Sequence, residues 1–212
     1  MTPADVIASV RVLTNDNDPV DYRYEDVTIL DCVNRALRRM ATLRPDLFVT
    51  TSELTCVAGV EQEVPNYGRV VQVFGVKDAG AVVETIREHM DAYFPSWRAA
   101  AAGTAVNWMR HSRNPSKFFV YPPASSGQVL DVEYSTVDAV YDTNTPIPLA
   151  AEYLPSLVDI TAAEVEWADD EYVLTPRAEG FYNRAVQALA AQAQTRQNMD
   201  TEAGGGAPAI VD

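Results

Sequence analysis

The 212-residue chain has few cysteines and few histidines, and both shortages limit its chemistry. Cys32 and Cys56 are its only cysteines, and their separation matches neither a disulfide framework nor a metal-binding spacing. His89 and His111 also lack metal-ligand spacing, so each is interpreted as a surface or loop residue. The sequence therefore predicts reduced thiols in a cytosolic protein without a metal centre built from cysteine and histidine.

Long apolar runs and familiar catalytic motifs are missing as well. No stretch approaches the ~20 apolar residues that a transmembrane helix needs. The N-terminus lacks the basic and apolar segments of a signal peptide. The sequence contains no phosphate-binding loop, Gly-x-Gly-x-x-Gly, His-Glu-x-x-His or Gly-x-Ser-x-Gly motif. These absences predict a soluble protein that is not an enzyme and holds no cofactor.

Positive charge is scarce. The chain has 16 Lys and Arg residues against 30 Asp and Glu residues, which gives a net charge of −14. Residues 136–212 hold thirteen acidic and three basic side chains, so most of this charge lies in the C-terminal third. Proteins that grip nucleic acid need clustered lysine and arginine, which disfavours tight binding of DNA. A channel past which DNA slides without sticking remains compatible with this charge.

Helical patterns occur at both ends of the chain. Thr2-Pro3 predicts the start of a short helix. A longer helix is predicted to begin with Asp26 as its N-cap and to end before Pro45. Its apolar stripe consists of Val27, Leu30, Val33, Leu37, Met40 and Leu43. Further helices are predicted from Leu154 and from Thr175-Pro176, and the stripe must be covered by these helices or by another chain.

The middle of the chain has a period of two, which predicts six to eight strands in an antiparallel sheet or sandwich. Segments 53–57 and 60–64 flank Ala58-Gly59 and are predicted to form a hairpin. The strand Phe118–Tyr121 is expected to stop at Pro122. The predicted fold class is α+β: a bundle of N- and C-terminal helices with an inserted β-sheet or sandwich. The predicted segments are residues 1–48 and 146–197 for the helices, 49–145 for the β-rich domain and 198–212 for a Gly/Ala-rich docking tail.

Acidic residues along and after the second long helix are one candidate site. They are Glu164, Glu166, Asp169, Asp170 and Glu171. Carboxylates can bind a divalent cation, but a helix spreads these side chains around its axis, which favours a solvated acidic face. The polar run 15–18 also resembles a calcium loop, but it lacks the central glycine and the terminal glutamate and is predicted to be a turn. The three tryptophans, Trp97, Trp108 and Trp167, are predicted to be core or interface anchors.

Several short motifs follow one another in a recognisable order. They are Tyr24-x-Asp26 continuing through Val33-Asn34-x-Ala36 into Arg44-Pro45-Asp46, then Val64-Pro65, Phe94-Pro95-Ser96-Trp97 and Phe118-x-Val120-Tyr121-Pro122-Pro123. A pair of C-terminal helices completes the order, so that the likeness spans about residues 1–195. In this order the chain resembles the head-to-tail adaptor proteins of tailed bacteriophages, in particular the tail tubular protein A-like adaptors of short-tailed phages. None of the motifs is catalytic.

The resemblance implies a structural, non-enzymatic protein of the virion that is assembled in the host cytoplasm. It implies a homo-oligomeric ring, commonly of twelve copies, which lies under the portal protein and joins a tail nozzle or other tail protein. Double-stranded DNA would pass through the lumen without specific binding. An acidic lumen would repel phosphates, so the five acidic residues of the candidate site are hypothesised to face it.

Two further segments are candidate contact sites. The glycine-rich tail is hypothesised to dock on the portal or on an adjacent subunit through Gly204, Gly205, Gly206, Ile210 and Val211. A basic loop contains Arg110, Arg113 and Lys117, and it either contacts an acidic partner, contacts DNA or is simply exposed to solvent.

Two other functions remain open at this point. A head-completion or stopper protein of a long-tailed phage would differ mainly in the partner of the ring. A small cytosolic metal-dependent enzyme or binding protein belongs to a different class, and the acidic cluster is its only support.

Overall fold

The computed structural model describes residues 1–140, 142–168 and 175–204. The chain divides into two compact units, which we call the helical unit (Met1–Arg44 and Ala139–Asp212) and the β unit (Pro45–Asp138). The helices are α1 (Pro3–Thr14), α2 (Asp26–Leu43), α3 (Arg87–Tyr93), α4 (Leu154–Ala168) and α5 (Thr175–Gly204). Of these, α3 belongs to the β unit. None of the described helices is both long enough and apolar enough to cross a membrane.

The helical unit is built around α4. Helices α1, α2 and α5 all pack against it, and residues 156–166 of α4 are buried on every side. A helix surrounded in this way needs apolar or small residues all around its axis instead of one stripe. The sequence supplies them in Leu157, Ile160, Ala162, Ala163 and Val165, which are almost fully buried.

The start of α1 confirms the Thr2-Pro3 prediction. The Thr2 hydroxyl accepts a hydrogen bond from the backbone N–H of Asp5 (3.4 Å), and the Asp5 carboxylate accepts one from the backbone N–H of Thr2 (2.8 Å). This reciprocal capping box satisfies two backbone donors that the first turn would otherwise leave free. The bonds from Thr2 also hold the pKa of Asp5 below its usual value.

The buried face of α2 is rotated relative to the predicted stripe. The buried residues are Ile29, Cys32, Val33, Ala36, Leu37 and Met40. Val27 and Leu43 are 59% and 39% exposed. The small residues Cys32 and Ala36 lie on the face that packs in the bundle, whereas large apolar residues near the helix ends do not reach it. The N-cap is Glu25, and Asp26 is instead the first helical residue.

The β unit contains two four-stranded sheets. The strands are β1 (Val49–Thr55), β2 (Gly59–Glu63), β3 (Arg69–Val76), β4 (Gly80–Ala81), β5 (Val83–Glu84), β6 (Asn107–Arg110), β7 (Lys117–Ala124) and β8 (Val129–Ser135). The strand orders are β1-β8-β3-β4 and β2-β7-β6-β5. The described pairs are antiparallel except for β5 and β6, which are parallel. One apolar core joins Val73 and Val132 of the first sheet to Trp108 and Phe118 of the second. These two sheets, together with the helices, confirm the α+β fold class.

Two local predictions in the β unit are wrong. Strands β1 and β2 do not form a hairpin, because β1 pairs with β8 and β2 pairs with β7, each in a different sheet. Strand β7 also continues through Pro122 and Pro123 to Ala124. The register with β2 shifts at this place, so that the missing proline N–H groups interrupt no regular ladder. The Pro123 carbonyl still accepts a hydrogen bond from the Gly103 N–H (3.0 Å).

Candidate functional site

The acidic candidates on α4 do not face solvent. Glu164 is only 5% exposed, and its two carboxylate oxygens face two arginines of α2. The Arg35 Nε lies 3.2 Å from one oxygen, and the Arg39 Nε donates a hydrogen bond to the other. The hypothesis that Glu164 lines a channel is therefore dropped, because this carboxylate joins α2 to α4 inside the helical unit.

A second acidic residue of the predicted cluster is also engaged by an arginine. Glu166 is buried and lies 3.4 Å from the Nε of Arg177 on α5. About two helical turns before Glu166 on α4 lies the buried Asp159. Both of its carboxylate oxygens accept hydrogen bonds from the Arg184 guanidinium, one of them at 2.6 Å. These bonds raise the pKa of Arg184. The lumen hypothesis is dropped for Glu166 as well, since its carboxylate contributes to the packing of α4 against α5.

The rest of the predicted acidic cluster, Asp169, Asp170 and Glu171, lies outside the described residues. Among the residues that the structure describes, no group of three or more His, Cys, Asp or Glu side chains is placed to hold a metal ion. The metal-dependent alternative had only this cluster as support, and the arginines already neutralise its two described members.

Motif residues that carried the family resemblance have structural roles in the helical unit. The Asn34 side chain accepts a hydrogen bond from the Val140 N–H (2.7 Å) and donates one to the Val140 carbonyl (2.8 Å). The Arg44 guanidinium donates to the Leu189 carbonyl of α5 (2.8 Å). Both side chains therefore join α2 to segments that lie more than a hundred residues away in the sequence.

The predicted basic loop lies between β6 and β7 and borders a cavity of about 210 Å³. The Arg110 guanidinium donates to Glu84 (2.7 Å) and to the carbonyls of Val70 and Val71. Lys117 donates to Glu61 (2.6 Å), and this bond raises the pKa of Lys117. The structure thus brings these two predicted residues together at one cavity, where each already has an acidic partner.

Two arginines at this cavity differ from Arg110 and Lys117 in that they have no acidic partner among the described residues. The exposed side chains of Arg113 and Arg69 make no ion pair or hydrogen bond with any residue that the structure describes. Arg69 was missed by sequence reasoning because it lies on β3, 41 residues before Arg110. The His111 Nδ1 accepts hydrogen bonds from the backbone N–H groups of Arg113 (3.2 Å) and Asn114 (2.9 Å). These bonds fix the backbone from which Arg113 extends. We call the cavity lined by Arg69, Arg110, Arg113 and Lys117 the basic pocket.

The segment that resembled a calcium loop is held by the side chain of Arg11. The Asp16 carboxylate is buried and accepts hydrogen bonds from Arg11 (2.5 Å) and from the backbone N–H of Arg23 (2.8 Å). The same guanidinium donates to Asp26 (2.6 Å) and stacks 3.5 Å from the Tyr22 ring centroid. Residues 17–25 are thereby fixed at both ends, and we call them the acidic loop.

Large apolar side chains are exposed on the β unit. They are Val57, Tyr67, Phe74, Val83, Ile86, Tyr93, Phe94 and Val106. The Val83 N–H donates to the Val106 carbonyl (2.9 Å), so these two residues are neighbours. Sequence reasoning did not single out this exposure, although Phe94 stands in a quoted motif whose Trp97 is buried as predicted. Neighbouring exposed apolar side chains, as at Val83 and Val106, are typical of surfaces that contact another protein.

The predicted docking tail falls mostly beyond the description. Helix α5 continues to Gly204, so residues 198–204 of the predicted docking tail are part of this helix. Gly205, Gly206, Ile210 and Val211 lie outside the described residues.

Comparison with known proteins gives one match that covers almost the whole chain. The family model described as SU10 adaptor protein matches residues 1–209. A comparison with individually curated proteins gave no match. Among solved structures, one similar chain comes from a structure described as "Neck of empty GTA particle computed with C6 symmetry". The identity is 14%, the match covers 85% of this chain and 91% of the other, and the TM-score is 0.28, which is too low to support an assignment.

The family match agrees with the resemblance to phage head-to-tail adaptors, but it does not extend to the tail tubular protein A-like subfamily. Because the match covers all of the described helices and strands, it applies to both units of the chain. This chain belongs to the SU10 adaptor protein family.

Proposed function

We propose that this protein is a structural head-to-tail adaptor of a tailed bacteriophage. Copies of the chain form a ring beneath the portal protein, the tail attaches to the ring, and double-stranded DNA passes through it without specific binding. The observation that carries this proposal is the family match over residues 1–209. The protein would accordingly be found at the head-tail junction of the virion.

Ion pairs with buried carboxylates join the helices of the helical unit. Its central helix α4 is joined to α2 through Glu164 and to α5 through Asp159 and Glu166. If the helices slid past each other, these pairs would separate and leave buried carboxylates without a partner. The ion pairs therefore oppose such sliding. A component that connects two large assemblies needs such resistance to deformation.

The exposed apolar residues of the β unit favour contacts with further copies. A closed ring uses heterologous interfaces, in which one surface of each copy binds a different surface of the next copy. Stable interfaces have an apolar centre, and Phe94, Val83 and Val106 offer such side chains on the surface of the isolated chain.

The charge of the chain suits a conduit for DNA. A net charge of −14 repels phosphates, so DNA passing nearby would not be held. Since Glu164 and Glu166 are buried, this repulsion has to come from exposed acidic residues elsewhere on the chain.

Binding to a portal tests the proposed place of the protein in the virion. We expect the purified protein to co-sediment with assembled portal rings and to leave the supernatant in proportion to the added portal. We propose that residues 204–212 dock on the portal or on the adjacent subunit, so a variant that lacks these residues is expected to lose portal binding or ring assembly. Failure of the full-length chain to bind any portal from a tailed phage would contradict the function, whereas a truncated variant that binds the portal and forms rings normally would contradict only the role of the tail.

A further inference from the structure

We propose that the acidic loop of one copy binds in the basic pocket of the neighbouring copy. This inference rests on the proposed ring, since it requires a second copy of the chain. It adds to that proposal by naming the two surfaces that meet and the charges that select them.

The basic pocket has positive charge that the described residues of its own chain leave unpaired. Lys117 and Arg110 are paired with Glu61 and Glu84. Arg69 and Arg113 border the same cavity and make no contact with a carboxylate of the described residues. Two unpaired guanidinium groups at one cavity can bind two carboxylates, and guanidinium–carboxylate pairs are the strongest of the common charged hydrogen bonds.

The acidic loop has the complementary charge, because its three carboxylates outnumber its one cation, Arg23, and it is already ordered. Asp18, Asp21 and Glu25 are exposed on it. At its tip, Val20 is 93% exposed. The Asp18 Oδ1 accepts the N–H of Val20 (3.0 Å), which fixes the turn at the tip. Because the Arg11–Asp16 pair holds the base of the loop, little conformational entropy would be lost when the loop binds.

DNA is a poorer occupant of the basic pocket than a second copy. Gripping a duplex takes several phosphate contacts from clustered cations, and among the described residues this pocket offers two arginines without an acidic partner, Arg69 and Arg113. The carboxylates of Glu61 and Glu84 lie beside the same cations and would repel a continuous polyanion. A short loop with two or three carboxylates avoids most of this repulsion.

A charge-swap experiment tests the contact. Asp18→Asn with Asp21→Lys changes the charge of the loop by +3, and the asparagine retains an Oδ1 that can accept the Val20 N–H. Arg69→Glu with Arg113→Glu reverses the two free cations. We expect each pair of substitutions to raise the protein concentration at which half of the chains are in rings by about tenfold or more. The four substitutions together should restore assembly to within about threefold of wild type, because the reversed charges again attract.

A matched control separates this contact from net charge. Asp31→Asn with Glu179→Lys also changes the charge by +3 at exposed sites of the helical unit and should leave the assembly concentration unchanged. Analytical ultracentrifugation gives the ring fraction, and circular dichroism confirms that each variant is folded.

Three outcomes would contradict the proposals. If the wild-type protein forms rings and the loop variant and the pocket variant both assemble normally, the contact is overturned and the proposed function remains intact. If the wild-type protein binds duplex DNA in a salt-sensitive way, and Arg69→Glu/Arg113→Glu loses this binding but assembles normally, the pocket is assigned to DNA and the inference is overturned. Absence of rings in the wild-type protein, both alone and in the presence of a portal, would instead refute the proposed function.

Discussion

Single residues of the helical unit differ sharply in how well they tolerate loss of charge. Glu164 is buried, whereas its partners Arg35 and Arg39 are about half exposed. Replacing both arginines by methionine leaves a buried carboxylate without a partner, which should lower the free energy of unfolding by about 3–5 kcal/mol. Glu164→Gln leaves two cations that water can still solvate, so we expect a loss of only about 1–2 kcal/mol.

Urea unfolding followed by tryptophan fluorescence measures both losses. The order of the two values is the test, because it depends on which partner is buried. A larger loss in Glu164→Gln than in the double arginine variant would contradict the described geometry.

The buried thiol of Cys56 makes stability depend on alkaline pH. Burial raises the pKa of Cys56 to about 11, whereas a thiol in an unfolded chain titrates near 8.5. The folded protein therefore keeps this proton while the unfolded chain loses it, and stability falls as pH rises from about 8.5 to 11. The full effect is up to about 3 kcal/mol. In Cys56→Ala the free energy of unfolding should fall by about 3 kcal/mol less over this pH range. If the curves of unfolding free energy against pH are parallel for the two proteins, the Cys56 thiol is not the cause of the decline.

Within the secondary-structure elements, replacing either of two glycines by alanine should change the stability of the protein in opposite directions. A Cβ at Gly75 of β3 would lie 2.7 Å from the Gly80 carbonyl oxygen of the β3–β4 hairpin. Gly75→Ala should therefore destabilise the protein by about 1–3 kcal/mol. A Cβ at Gly180 of α5 meets no atom within 4 Å, so Gly180→Ala should stabilise by roughly 0.5–1 kcal/mol. Thermal unfolding of both variants checks the signs, and a destabilising Gly180→Ala or a neutral Gly75→Ala would be contrary to the described backbone.

Local patterns in the sequence predicted the elements better than their partners. Capping chemistry at Thr2 and the period of two in the middle of the chain depend on nearby residues, so the start of α1 and the presence of several strands there were predicted correctly. The observed buried face of α2 differs from the predicted one, and this helix packs against α4, which lies more than a hundred residues later in the sequence. The hairpin of β1 and β2 was wrong, since a strand pattern does not specify which strand pairs with it.

Sequence patterns also limited the prediction of the candidate site. The basic loop was found because Arg110, Arg113 and Lys117 are close in sequence, whereas Arg69 reaches the pocket only through the fold. Glu164 was interpreted as a surface acid because nothing near it in sequence reveals Arg35 and Arg39. Charge counts therefore indicate which residues are available for a site, but only the packing shows which of them are already neutralised.

On the scale of the whole molecule, exposed apolar residues of the β unit should affect assembly more than folding. Phe94→Ser with Val106→Ser removes apolar surface that we propose to be buried between copies. We expect the variant to need at least about tenfold more protein for assembly, while its unfolding free energy stays within about 0.5 kcal/mol per substitution. Val12→Ser on the exposed side of α1 is the matched control and should assemble normally. Unchanged assembly of the double variant would show that these side chains lie outside the interface.

The central claim is that copies of this chain close into a ring. Native mass spectrometry of the purified protein, over a range of concentrations, measures this directly. We expect one dominant closed species with a fixed number of copies, commonly twelve in the resembled adaptors, and few intermediates above the assembly concentration. A chain that remains a compact monomer at every concentration, alone and with a portal, would contradict it.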